Sequence, residues 1–142
     1  MKVFLTILFL FLATLANAQS SELNCMAAVI HFEAGTENYE GRVAVGQVVM
    51  NRLGQQGRPK TICGVVTQPW QFTWYHEAPE KLYRKDLYKR QLNLARQIIN
   101  GEIGDPTAGS SHFHTTRTLP RWAKHLQEMT VIGQHVFYKE RY

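Results

Sequence analysis

The N-terminal apolar run does most to limit what this chain can become. Val3 to Ala16 (VFLTILFLFLATLA) is almost wholly apolar behind Lys2, and Ala16-Asn17-Ala18 supplies a small-x-small signature. A basic start, an apolar stretch and a small-residue cleavage site are the three parts of a secretory signal peptide. The run is also shorter than the roughly 20 residues a spanning helix needs. Residues 1–18 are therefore read as a leader cut after Ala18, and residues 19–142 as the mature domain, secreted or periplasmic and with no stable membrane insertion once the leader has gone. Taking 18 residues from 142 leaves 124, enough for one hydrophobic core and too few for two domains.

Export gives the cysteines a context. Cys25 and Cys63 are an even count in an oxidising compartment, so a disulfide across their separation of 38 residues is the expectation, with two buried thiols as the alternative. The mature domain keeps 15 Lys and Arg against 11 Asp and Glu, a modest positive balance. That charge suits a polyanionic partner. Nucleic acid is not the expected partner, because the basic residues form no evident patch or known motif. No stretch is repetitive or charged enough to stay disordered.

Hydrophobic periodicity orders the rest. Ser20-Ser21 reads as an N-cap for a first helix, with Leu23, Met26, Ala27 and Ile30 on one buried face. A second helix is predicted from about Tyr39 to Leu53, then a loop over Gly54 to Pro59, then a short helix from Ile62 to Thr67 capped by Thr61. The aromatic cluster Trp70, Phe72, Trp74 and Tyr75 reads as a loop or short strand, and Leu82 to Asn100 as one long amphipathic helix stopped by Gly101. Gly109 to Thr116 alternates, with His112 and His114 on one face and Phe113 on the other, and Val131 to Tyr138 reads as a closing strand. The fold class is α+β: a small single domain, helices first and a small antiparallel sheet late.

One residue breaks the first helix's pattern. Three positions beyond Ile30 the stripe reaches Glu33, a carboxylate where an apolar residue is called for. Burial there would favour the neutral acid, the form that donates a proton to a leaving oxygen. The bland alternative is a helix-end glutamate paired with Arg42 or Arg52. Glu37 follows four residues later, and its role as second catalytic group, positioning group or surface charge stays open: a two-carboxylate glycosidase needs its acids about 5 to 10 Å apart, and Gly35 leaves the path between these two unset. Gln71 and Trp74 are candidates for gripping sugar rings, whereas Trp70 is assigned to the core. His112 and His114 are taken to contact substrate. They make a His-x-His pair without a third ligand or a zinc motif, so no metal and no other cofactor is expected.

These residues carry a resemblance. Ala27 to Val45 (AAVIHFEAGTENYEGRVAV), Val48 to Arg52, Pro59 to Val66, Gln68 to Trp74, Asp105 to Gly109, His112 to His114, Pro120 to Trp122 and Ile132 to Phe137 together resemble the SleB-type cell-wall hydrolases. That family includes spore-cortex-lytic enzymes and many bacterial and phage relatives. The resemblance implies a lysozyme-related domain that cuts peptidoglycan glycan strands between N-acetylmuramic acid and N-acetylglucosamine. It also implies that Glu33 is the acid/base, as the first glutamate of a Glu-Ala-Arg-Gly-Glu block. Here Gly35-Thr36 stands where Arg-Gly is usual, which alters the charge around Glu33.

The resulting expectation is a monomeric lytic transglycosylase acting through Glu33, with Glu37, Gln71, Trp74, His112 and His114 lining the groove. Muramidase-type hydrolysis, amidase activity and non-catalytic wall binding are the rivals. The leader reading has its own check: intact mass of the exported protein should place its N-terminus at Gln19, and a mass retaining residues 1–18 would make the run a tether.

Overall fold

Six consecutive residues, Cys25 to Ile30, are each no more than 3% exposed. A helix with one buried stripe would leave half of them in water, so this segment is surrounded on all sides. The computed structural model describes residues 2–141, with side chains described from residue 14 onward. In it the segment lies in α1 (Lys2–Ala34), against which α2 (Tyr39–Arg52), α3 (Ile62–Thr67), α5 (Lys85–Tyr88) and α6 (Leu92–Ile99) all pack. Small side chains such as Ala27 and Ala28 allow that close approach, and Val45, Val48, Val49, Val65, Val66 and Ile98 fill the space around them.

Helix α1 corrects one expectation. Ser20 and Ser21 do not start it; the helix runs through them from Lys2 without a break. A capping serine offers a side-chain oxygen to free N–H groups, and here the preceding turns already supply carbonyl acceptors. The leader read over residues 1–18 lies largely outside the residues whose side chains are described. Residues 14–20 of this helix are exposed, and among the described residues no helix is long and apolar enough to cross a membrane.

Two other helices follow the sequence reading. Asn38 caps α2 by accepting from Gly41 N at 2.9 Å, and Thr61 caps α3 by accepting from Gly64 N at 3.0 Å. The start of α3 is also tied to α1. Glu22 accepts from Ile62 N at 2.6 Å and from Cys63 N at 3.2 Å, placing a carboxylate where the helix leaves its first N–H groups unsatisfied. The Cys25–Cys63 disulfide joins the same two helices, as expected for an exported chain.

The segment read as one helix over Leu82–Asn100 is instead broken. A 3₁₀ turn at Pro79–Tyr83, α5, a second 3₁₀ turn at Lys89–Gln91 and α6 follow one another. Arg84 takes ψ +69 at the first break, and Tyr88 O–H reaches back to the carbonyl of Leu82 at 2.7 Å. Burying the Tyr88 ring completely while satisfying its hydroxyl bends the chain away from a straight path. The aromatic cluster is also not a strand: Thr73–Glu77 forms a short helix, α4.

The late sheet is antiparallel in the order β1-β3-β2, with β1 at His112–Thr115, β2 at Gln127–Ile132 and β3 at His135–Lys139. The single strand expected over Val131–Tyr138 is therefore a hairpin. Gly133, with φ +56, and Gln134 make its two-residue turn, in the manner of hairpins that place glycine first. The alternation read in β1 holds. Phe113 packs on Phe137 and His135, while His112 and His114 lie against Trp122 on the other face.

The Glu22 clamp generates a prediction. Glu22→Ala leaves two N–H groups at the start of α3 without their acceptor, and urea denaturation should show a loss of about 1–2 kcal/mol. An unchanged midpoint would mean that the disulfide alone fixes α3.

Candidate active site

The surrounded part of α1 ends one turn before Glu33, so the helix delivers this carboxyl to the edge of the core. Burial pushes its pKa up from the ordinary 4.5 to about 7, against the opposing pull of the Arg52 guanidinium and the Trp74 indole N–H. Glu33 is therefore poised between acid and carboxylate at neutral pH. The alternative of a tight helix-end ion pair does not apply. Arg42 donates to Gln91 at 3.3 Å, and the one close ion pair among the described residues is Arg84–Asp86, on the surface.

Arg52 is held from two sides. Its Nε donates to the Ser111 carbonyl at 2.7 Å, and its guanidinium carbon lies 5.4 Å from the centre of the Phe72 ring. Burial and the neighbouring Arg58 lower its pKa to about 10, so it stays cationic at neutral pH. Its Nη1 is buried without a hydrogen-bond partner. The adjacent Asn51 donates to the Ser110 carbonyl and to Asp105, both at 2.9 Å. Two successive residues at the end of α2 thus fasten the chain just before β1.

Trp74 and Trp70 exchange the places read from sequence. Trp74 is 8% exposed and stacks on Phe32 at 4.5 Å, whereas Trp70 is 89% exposed. The reason is helical: α4 turns Trp74 inward against α1, while Trp70 sits in the preceding turn. Trp74 is nevertheless a neighbour of Glu33. Its Nε1 favours the ionised carboxyl yet makes no hydrogen bond of standard geometry, and so remains an unspent donor.

A cleft of about 440 Å³ opens beside Arg52, lined by Arg58, Trp70, Gln71, His112, Phe113, Trp122, His125 and Leu126. Arg58 joins its two walls, donating to Gln71 Oε1 at 3.3 Å and lying 3.4 Å from His112 Nε2. Burial, then the charges of Arg52 and Arg58, lower the pKa of His112. Sequence reasoning missed Arg52 as a member of the site and Arg58 altogether. The first was weighed only as an ion-pair partner, and the second stood in a loop read by its glycines.

Two expected groove residues face elsewhere. Glu37 accepts from Gln134 N at 3.1 Å in the hairpin turn, and a Cβ on Gly133 would collide with its carboxylate. It ties the α1–α2 turn to the sheet. His114 shares the Trp122 face with His112, but its ring nitrogens are engaged by Tyr138 Oη at 2.9 Å and the Thr115 carbonyl at 2.8 Å. It does not line the cleft.

The electrostatics are testable directly. Carboxyl-carbon NMR should find Glu33 titrating near pH 7, and Arg52→Gln should raise that midpoint by removing the cation that favours ionisation. Because the folded pKa lies above the unfolded value, the part of the stability that Glu33 contributes, read as wild type against Glu33→Gln, should be greatest below about pH 4.5 and decline as pH rises to about 7. A midpoint near 4.5 would show that water reaches the carboxyl freely.

Comparison with known proteins agrees with this architecture. The spore cortex-lytic enzyme of Oceanobacillus iheyensis is 31% identical over 120 residues, covering 84% of this chain and 42% of that protein. The one from Halalkalibacterium halodurans is 28% identical over 123 residues, covering 86% and 36%. The chain thus spans less than half the length of these relatives. Among solved structures, the catalytic domain of the Bacillus cereus SleB protein superposes with a TM-score of 0.72 at 29% identity, covering 84% of this chain and 91% of that one. The catalytic domain of the germination-specific lytic transglycosylase SleB from Bacillus anthracis gives the same score and identity, with 94% of that chain covered. The family described as Cell Wall Hydrolase matches residues 36–138, and with nearly three quarters of its length inside that match this chain belongs to the cell wall hydrolase family.

Proposed function

We propose that this chain cleaves the glycan strands of peptidoglycan between N-acetylmuramic acid and N-acetylglucosamine, as a lytic transglycosylase with Glu33 as its acid/base. The observation that carries the reading is a Glu33 carboxyl buried at the edge of the core and raised to a pKa of about 7, with Arg52, the cation acting on it, lining a cleft walled by aromatic and hydrogen-bonding side chains. Glu37, the acid next along the chain, has its carboxylate occupied at the hairpin turn. That arrangement favours chemistry needing one carboxyl over chemistry needing two.

Protonated Glu33 gives its proton to the bridging oxygen as the bond from that oxygen to C1 of the muramic acid residue breaks. N-acetylglucosamine departs with a free 4-hydroxyl, and positive charge develops at C1. Glu33, now ionised and favoured by Arg52, removes the proton from the muramyl 6-hydroxyl while its oxygen closes onto C1. The product is a 1,6-anhydro ring, and Glu33 is protonated again for the next cycle. The nucleophile is part of the substrate, so its proximity replaces a positioned water. Arg52 Nη1 and Trp74 Nε1, both buried without partners, are donors left for the sugar or for the carboxylate it creates. The disulfide, the leader reading and the positive charge support action outside the cytoplasm on a polyanionic wall.

Mass spectrometry of products released from purified sacculi tests this. Wild type should yield anhydro-muropeptides, and Glu33→Gln should lose at least a thousandfold in rate while still sedimenting with sacculi. Activity should fall as pH rises past about 7, following loss of the protonated acid. Reducing-end muramic acid in the products would reassign the reaction to hydrolysis, and sedimentation without cleavage would leave a wall-binding protein.

A further inference from the structure

Trp70 is a bulky residue in a backbone conformation that bulky residues avoid. Its φ is +63, in the left-handed region, where a side chain of this kind is a strained outlier. That strain is not offset by burial, since the indole is 89% exposed. A side chain that is both strained and open to water gives the fold little in return.

The indole nevertheless has a fixed neighbour. The Trp70 backbone N–H donates to His76 Nε2, and the two rings stack with centroids 5.3 Å apart and planes 22° from parallel. His76 is carried by α4, which is itself anchored by the buried Trp74. Part of one face of the indole therefore rests on the exposed imidazole of His76, and the other face is left to solvent. Trp70 also lines the same cleft as Arg52, Arg58, Gln71, His112 and Trp122. A flat apolar face beside a row of hydrogen-bonding side chains matches a pyranose ring, which presents C–H groups on its face and hydroxyl and acetamido groups at its edge.

We propose that Trp70 is a sugar-stacking platform at the rim of the cleft, with His76 as the positioning residue that holds it for a pyranose ring of the glycan strand. This rests on the glycan-cleaving reading above. The fold-level cost is accepted because the exposed indole face is returned to contact only when sugar arrives. His76 touches no substrate and acts through Trp70.

The test uses the full mature chain and two readouts. In steady-state cleavage of solubilised glycan strands, Trp70→Ala should raise KM about tenfold with kcat within about twofold, and Trp70→Phe should recover most of the loss. His76→Ala should give an intermediate KM, and His76→Phe, which keeps the stacking ring, should lie nearer wild type. In the second readout, tryptophan fluorescence on titration with N-acetylglucosamine tetramer should change in wild type, and in Trp70→Ala the change should be smaller and need about tenfold more tetramer, since Trp122 remains in the cleft. Trp70→Gly removes both the platform and the strain, so it should melt no lower than wild type while binding as weakly as Trp70→Ala. A marked loss of melting temperature in Trp70→Gly would make Trp70 a structural residue and overturn the proposal. Unchanged KM and fluorescence response in Trp70→Ala, with wild type cleaving normally, would overturn the platform and leave the cleavage reading standing. A Trp70-dependent fluorescence change in a wild-type protein that releases no products would do the reverse. A response to anionic phospholipid vesicles and none to the tetramer would overturn the platform in favour of a membrane surface.

Discussion

Desolvation of one carboxyl group is the constraint around which this structure is arranged. A glutamate at neutral pH is ordinarily charged and ordinarily in water, and keeping Glu33 away from water requires a helix sealed for nearly two turns before it. The surrounding helices supply that seal. Arg52 then limits its consequence, because without a nearby cation the carboxyl would be driven further towards permanent protonation and could act only as an acid. A pKa of about 7 is the balance of the two, and it suits the acid/base role proposed for Glu33.

Holding that balance depends on fasteners far apart in the chain. At one end of the core, Glu22 and the Cys25–Cys63 bond fix α3 to α1. At the other, Asn51 and Arg52 grip the carbonyls of Ser110 and Ser111, so the end of α2 sets where β1 begins. Glu37 closes the arrangement by bonding the hairpin turn, and Gly133 leaves room for its carboxylate. The two walls of the cleft come from segments about 40 residues apart, and Arg58 spans them through Gln71 and His112. None of these contacts is individually large, yet each orients an element that carries a residue of the site.

Local signals were legible where local physics decides. Thr61 caps the helix it precedes, and the alternation around Phe113 survives in β1 because one face is core and the other is not. The helix over residues 82–100 was misread for a physical reason: a continuous apolar period says nothing about whether a buried tyrosine hydroxyl must bend the backbone to find an acceptor. The hairpin was missed because Gly133 stood inside an apolar run that reads as one strand, and its partner Glu37 lies almost 100 residues away. Trp70 and Trp74 could not be sorted by composition, since four residues apart on either side of a helix start they face opposite ways.

By itself the sequence determined the elements that caps and periodicity specify, the cysteine pair, and the out-of-pattern position of Glu33. Those follow from interactions between residues a few positions apart, or from burial that the pattern of apolar residues already demands. Tertiary structure decided which cation faces Glu33, which carboxylate is drawn off to a turn, which tryptophan faces water, and that a loop arginine spans the cleft. Such outcomes depend on distances between segments that no local periodicity encodes, and the electrostatic energy that tunes Glu33 varies with those distances and with the water they exclude.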